Sequence, residues 1–183
     1  MLSRFLKRDG QSGRIASALY GAIVAQARAP GFYVRLGVAD SVDGRFELLL
    51  VHLALVLRRV RDADDAAREI GQEVFDLFCA DMDRSLREMG VGDLSIPKRM
   101  KRLAEAYYGR AAAYGAALDA GDTKALAGAV RRNLLGGAEG AADAIAAYLV
   151  EAAAAIRSLS PAAFAAGRLA WPDPALIRAQ SPA

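Results

Sequence analysis

Residues 46–57 read Phe-Glu-Leu-Leu-Leu-Val-His-Leu-Ala-Leu-Val-Leu, an apolar run broken only by Glu47 and His52. A run of this length falls short of the roughly 20 residues that a helix needs to cross a bilayer, so it reads as a buried core helix. A helix over about 45–61 has no polar face, and such a helix belongs at the centre of a bundle. It closes with Arg58, Arg59 and Arg61, cations that suit a helix C-terminus.

Outward from this helix, both flanks have helical periodicity. Upstream, Ile15, Leu19 and Ile23 recur every four residues and predict a helix from about Gly13, capped by Ser12, to Ala29, where Pro30 stops it. Residues 30–44 read as a loop ending in Asp40-Ser41-Val42-Asp43-Gly44. Downstream, Asp62, Asp64 and Asp65 favour a helix start, and Gly90 a stop after Met89. The inner stripe of this third helix is Ile70, Val74, Leu77, Phe78, Met82 (or Asp81, by drift), Leu86 and Met89; Glu69, Glu73, Asp76, Asp83 and Arg87 lie outward. A short connection leads to a fourth helix capped by Ser95, with Met100, Leu103, Tyr107, Ala111, Tyr114 and Leu118 inward. Further helices are expected over about 123–135 and 139–158, with a short turn from Ser160-Pro161 to Gly167. The expectation is an all-α, single-domain bundle of about six helices around an apolar central one. Residues 1–12 form a basic N-terminal segment, 13–167 the domain, and 168–183 an irregular tail.

Composition agrees with this class. The chain has 183 residues, 54% of them hydrophobic and only 7% aromatic, so the apolar excess is largely alanine, the best helix former. The lone Cys79 excludes a disulfide scaffold within the chain and suits a reducing compartment. The net charge of +3 is segregated. Residues 64–90 hold eight acids and three bases, whereas 91–110 hold five bases and two acids. Such segregation is also what solvated helix faces produce. The basic start of the fourth helix, Lys98-Arg99-x-Lys101-Arg102, opposes the helix macrodipole at a cost of a few tenths of a kcal/mol per cation, which points to a use for it. At the N-terminus, Arg4, Phe5, Lys7 and Arg8 fit a short membrane-surface hook, although a frayed basic terminus is the simpler reading of these residues.

Catalytic readings fail on residues. Asp64-Asp65-Ala66-Ala67 is followed by Arg68, a cation where a magnesium-binding aspartate motif needs a ligand. Asp81 and Asp83 are two apart and do not share a helix face. His52, the only histidine, reads as a hydrogen-bonded core residue, and Cys79 as a small core side chain. No phosphate-binding glycine loop or nucleophile elbow is present. The expectation is therefore no enzyme, no cofactor and no metal. A helical nucleic-acid binder using the patch 98–102 is the alternative. It is disfavoured because the third helix and its turn are too long for a helix-turn-helix, and its acids would repel phosphates, so no nucleic acid is expected.

The stretch from Val74 to Tyr114 resembles the ubiquinol–cytochrome c chaperone family, assembly factors for respiratory complex III. The resemblance is carried by Asp81-Met82-Asp83-Arg84-Ser85-Leu86-Arg87-Glu88-Met89-Gly90-Val91-Gly92-Asp93, then Lys98 and Tyr108-Gly109-Arg110. Asp43-Gly44-Arg45-Phe46-Glu47, Tyr20 and Phe32-Tyr33 add to it, so it spans roughly 15–135, while the alanine-rich region after 138 is generic. What it implies is a non-catalytic chaperone for newly synthesised cytochrome b. Mitochondrial members work with a small partner near the ribosomal exit; this chain suits a bacterial member in the cytoplasm, peripheral to the inner membrane. The candidate partner-binding residues are Asp76, Asp83, Arg84, Arg87, Glu88, Asp93, Lys98, Arg102 and Arg110. The alternative for Arg84, Arg87, Glu88 and Asp93, with Arg110, is an intramolecular salt-bridge cluster locking the helix hairpin.

Overall fold

The computed structural model describes residues 2–61, 63–137 and 141–177, with side-chain surroundings from residue 10 onward. Among these residues the chain forms α1 (Leu2–Ala27), α2 (Pro30–Val34), α3 (Val42–Arg61), α4 (Asp65–Glu88), a 3-10 turn (Asp93–Ser95), α5 (Ile96–Ala120), α6 (Thr123–Asn133), α7 (Ala142–Ser158) and α8 (Pro161–Ala165), and no strand. The fold is all-α, and six of these helices are long.

The apolar α3 is central: Leu48, Leu50, Leu53 and Val56 are sealed from solvent, and α1, α4, α5 and α7 all pack on it. Two hydrogen bonds set α1 on α4, Ser12 Oγ to Glu73 Oε1 at 2.6 Å and Tyr20 OH to Asp81 Oδ2 at 2.8 Å. Both partners advance by eight residues, so these helices run in the same direction. The pairs Glu47–Arg110 and Arg58–Asp119 likewise make α3 and α5 run together. The short connections then place α3, α5 and α7 in one direction and α4 and α6 in the other, with α1 following α4.

Several boundaries differ from the expectation, each for a local reason. α1 begins at Leu2 rather than near Gly13. A glycine inside a helix costs only about 1 kcal/mol, so Gly10 and Gly13 do not end it, and Ser12 bonds to α4 instead of capping. Pro30 ends α1 and also opens α2, since proline is pre-organised for a first helical position; the expected loop therefore begins with a helical turn that buries Phe32. α3 starts at Val42, because Ser41 accepts from Gly44 N–H at 3.1 Å through its hydroxyl and from Arg45 N–H at 3.0 Å through its carbonyl. Asp64 caps α4, accepting from Ala67 N–H at 2.8 Å; Asp62 lies outside the described residues. Met89 was expected inside, but it falls beyond the last turn of α4 and is exposed.

Candidate functional site

The candidate partner-binding residues all lie on the hairpin of α4 and α5. Its turn is fixed by glycine. Gly90 has φ +80°, Gly90 N–H donates to Arg87 O at 2.9 Å, and Val91 N–H donates to Leu86 O at 3.0 Å. This pairing is a Schellman motif with the left-handed residue just past the helix. Arg87 ties the corner: its Nε donates to Asp83 Oδ2 at 2.7 Å, and its Nη1 pairs with Asp93 across the turn. Arg84 pairs within α4 with Asp81 at 3.5 Å. Arg84, Arg87, Asp83 and Asp93 are thus engaged in intramolecular pairs. Glu88 is exposed and forms no ion pair among the described residues.

The expected acidic face is narrower than the sequence suggested. Glu73 was placed outward but accepts from Ser12 of α1, which half-buries it. Asp76 is exposed and accepts from Gln72 Nε2 one turn back, at 2.8 Å. On α5, Lys98, Arg99 and Arg102 are exposed and form no ion pair among the described residues, while Lys101 stands 3.9 Å from Glu105. The hairpin tip also carries Leu94, 100% exposed, and Met89, 57% exposed. Mid-hairpin, Phe75 stacks against Tyr107 (5.1 Å) and Tyr108 (6.2 Å), and Tyr108 is 63% exposed. Charges of both signs therefore flank accessible aromatic and aliphatic groups on one supersecondary unit.

Arg110 does not join the turn cluster. It forms a two-pronged ion pair with Glu47, Nε to Oε2 at 2.8 Å and Nη2 to Oε1 at 2.5 Å, with Glu47 almost fully buried. A guanidinium fork on a carboxylate is geometrically specific. The pair joins two segments, 43–47 and 108–110, that are far apart in sequence. Arg4, Phe5, Lys7 and Arg8, the expected membrane-surface residues, have side chains outside the described residues.

A buried polar chain was not foreseen. His52 Nδ1 meets Leu48 O at 2.7 Å, so Nδ1 carries the proton. Nε2 then accepts from Tyr148 OH at 2.7 Å, and Tyr148 accepts from Gln26 Nε2 at 2.9 Å. Gln26 also donates to Pro172 O at 3.1 Å. The Phe32 and Trp171 rings close edge-on around His52, at 5.4 and 5.0 Å. Burial lowers the imidazole pKa to about 4, so the ring is neutral at physiological pH. The buried, hydrogen-bonded His52 matches its reading as a core residue; helical spacing offers Tyr148 or Leu149 as a buried position, but nothing in the sequence pairs Gln26, Tyr148 or Trp171 with His52.

The sequence profile described as Ubiquinol-cytochrome C chaperone matches residues 34–171. The chain belongs to the ubiquinol–cytochrome c chaperone family. A solved structure, the Cbp3 homolog from Brucella abortus, is 39% identical, superposes with a TM-score of 0.87, and covers 97% of this chain and 100% of its own. No curated protein matches the sequence significantly. The matched span extends past the resemblance read from the sequence, 15–135, to include α7, α8 and Trp171. In this ubiquinol–cytochrome c chaperone the alanine-rich region and the tail as far as Trp171 lie within the family match, whereas Tyr20 and Phe32-Tyr33 precede its start.

Proposed function

We propose that this family member acts without catalysis, holding newly synthesised cytochrome b while the ubiquinol–cytochrome c reductase complex is assembled, and that the α4–α5 hairpin is the surface that meets the client. The reading rests on one observation: the hairpin, inside the family-matched span, presents solvated charges of both signs beside exposed Leu94, Met89 and Tyr108. A client with transmembrane helices has basic cytoplasmic loops, which Asp76 and Asp83 attract; acidic segments meet Lys98 and Arg102. Asp76, Asp83, Glu88, Lys98 and Arg102 are the contact residues in this proposal, with Asp83 also joining Arg87 and Asp93 in the corner that presents them. No described helix is long and apolar enough to cross a membrane. The proposed location is the cytoplasmic periphery of a bacterial inner membrane, with a small assembly partner or the ribosome as further contacts.

The test is mass spectrometry of what co-purifies with a tagged copy from gently solubilised membranes, with nucleic acid assayed in the same eluate. Enrichment of cytochrome b, lost in an Asp76→Lys/Asp83→Lys variant of unchanged helicity, is the expected result. Unchanged capture by that folded variant removes the acidic face from the reading. Nucleic acid without any complex III subunit overturns the client assignment.

A further inference from the structure

The C-terminal ends of α3, α5 and α7 gather at the end of the bundle opposite the hairpin tip. Between them lies a cleft of about 410 Å³, within the roughly 300–1,000 Å³ of small-molecule sites. Arg58, Arg59 and Arg61 of α3 and Arg157 of α7 border it, with Asp119 as the one carboxylate among the described lining residues. Asp119 is taken by Arg58, and Arg61 has a partner of its own. Arg59 and Arg157 form no ion pair among the described residues.

Helix dipoles explain cations at this end in part, since each C-terminus favours positive charge. A cation serving only that purpose bonds the free carbonyls of the last turn. The Nε–H groups of Arg58 and Arg59 do not: both are shielded from solvent and have no acceptor among the described residues. The cations that an anion in the cleft would meet are the guanidinium groups of Arg59 and Arg157, which border it without an ion pair among the described residues. The walls are also unlike those of a simple anion site. Leu55 and Ile156 line the cleft, and a second recess of about 110 Å³, sharing Arg58 and Arg157 with it, is lined by Leu118, Leu126 and Val150 on its apolar side and by Asp122 and Thr123 on its polar side. Guanidinium groups beside the apolar wall formed by Leu118, Leu126 and Val150 fit an amphiphile with an anionic head.

We propose that this cleft binds the phosphate of an acidic phospholipid, with Arg59 and Arg157 on the headgroup and the Leu118–Val150 recess against the start of the acyl chains. The site is separate from the hairpin and stands whether or not the hairpin binds cytochrome b.

The test is calorimetric titration of the full chain with dihexanoyl phosphatidic acid below its micelle concentration. A dissolved monomer removes the general attraction of a charged membrane for a basic protein. Saturable one-to-one binding is expected, with no binding of dihexanoyl phosphatidylcholine and at least tenfold weaker binding by Arg59→Gln/Arg157→Gln. Should that variant fail to fold, Val150→Glu, at a half-exposed position of the recess, is expected to weaken binding to a similar extent. Three results overturn the proposal: no binding by the wild type, equal binding by the folded variants, or inorganic phosphate binding as tightly as the lipid, which leaves the apolar recess without a role.

Discussion

At the residue scale, His52 couples stability to pH. An unfolded chain titrates its histidine near 6.5, whereas burial lowers the folded value to about 4. Above pH 6.5 neither state takes the proton and the contribution is fully present. As pH falls from 6.5 toward 4 the unfolded chain binds the proton and the folded one does not, so stability is lost by up to about 1.4 kcal/mol per pH unit, about 3 kcal/mol in all. Denaturant melts at pH 7.5, 6.5, 5.5 and 4.5 are expected to show this slope, and His52→Gln to be less stable at pH 7.5 but flatter below 6.5. An identical slope in the variant assigns the loss to carboxylates instead. Tyr148→Phe leaves His52 Nε2 without its donor and Gln26 with one acceptor fewer, and a cost of about 1–3 kcal/mol is expected in the same melts. Gly90 is a second residue whose role is conformational. Its φ of +80° with open space around it means that Gly90→Val is penalised by backbone strain alone, by about 1–2 kcal/mol. A normal melting temperature for that variant contradicts the left-handed cap. Gly90 was legible from its place after a long helical pattern. The partners of His52 were not, because Gln26, Tyr148 and Pro172 are scattered along the chain, and which polar groups meet inside a bundle is set by helix packing that no local pattern encodes.

At the scale of elements, the tail after α8 is irregular yet docked. A side chain at Gly31 would bring its Cβ within 2.7 Å of Ala175 N, so only glycine lets the tail lie against α2. Trp171 packs on the core and its ring meets His52. Ending the chain after Gly167 therefore removes the Trp171 ring and the Pro172 carbonyl that Gln26 bonds, and a lower melting temperature with faster amide exchange around Phe32 is expected. Exchange unchanged at α2 contradicts a docked tail. The sequence marked this segment as irregular because its prolines forbid helix, but periodicity says nothing about where an irregular segment rests. The two arginines of the candidate site separate in the same way. Arg110→Ala strands Glu47, almost fully buried, and is expected to cost about 2–3 kcal/mol, near the low end for a broken buried pair because Arg110 is partly solvated. Arg87→Ala breaks exposed pairs and is expected to cost under about 1 kcal/mol. Both were named from the sequence as surface contacts. Charge type was legible there, but which side chain turns inward was not, since Arg110 lies at the edge of its helix stripe and the deciding carboxylate is 63 residues away.

Across the whole molecule, the alternating helix directions separate two surfaces. The hairpin tip sits at the N-terminal end of α5 and the arginine cleft at its C-terminal end; 25 residues at 1.5 Å each put them about 37 Å apart. The N-terminal end of α1, which runs with α4, lies toward the cleft, so the basic terminus foreseen as a membrane hook and the proposed lipid site belong to one end. A membrane at that end leaves the hairpin turned away from the surface, free to meet a chain emerging from its synthesis. Counted along α4, Asp83 is eighteen residues from Asp65, about 27 Å from the cleft end and well beyond the Debye length of about 8 Å at physiological salt. Sites so separated and without shared partners act independently. The variant that combines Asp76→Lys/Asp83→Lys with Arg59→Gln/Arg157→Gln is therefore expected to lose client capture as the first pair does and lipid affinity as the second does, with logarithmic changes that add. Measuring both quantities in all four proteins decides it. A capture defect that deepens by more than about twofold when the arginines are also removed, with dissolved lipid absent, means that the two ends communicate through the bundle and that the separation of roles drawn from helix direction is wrong.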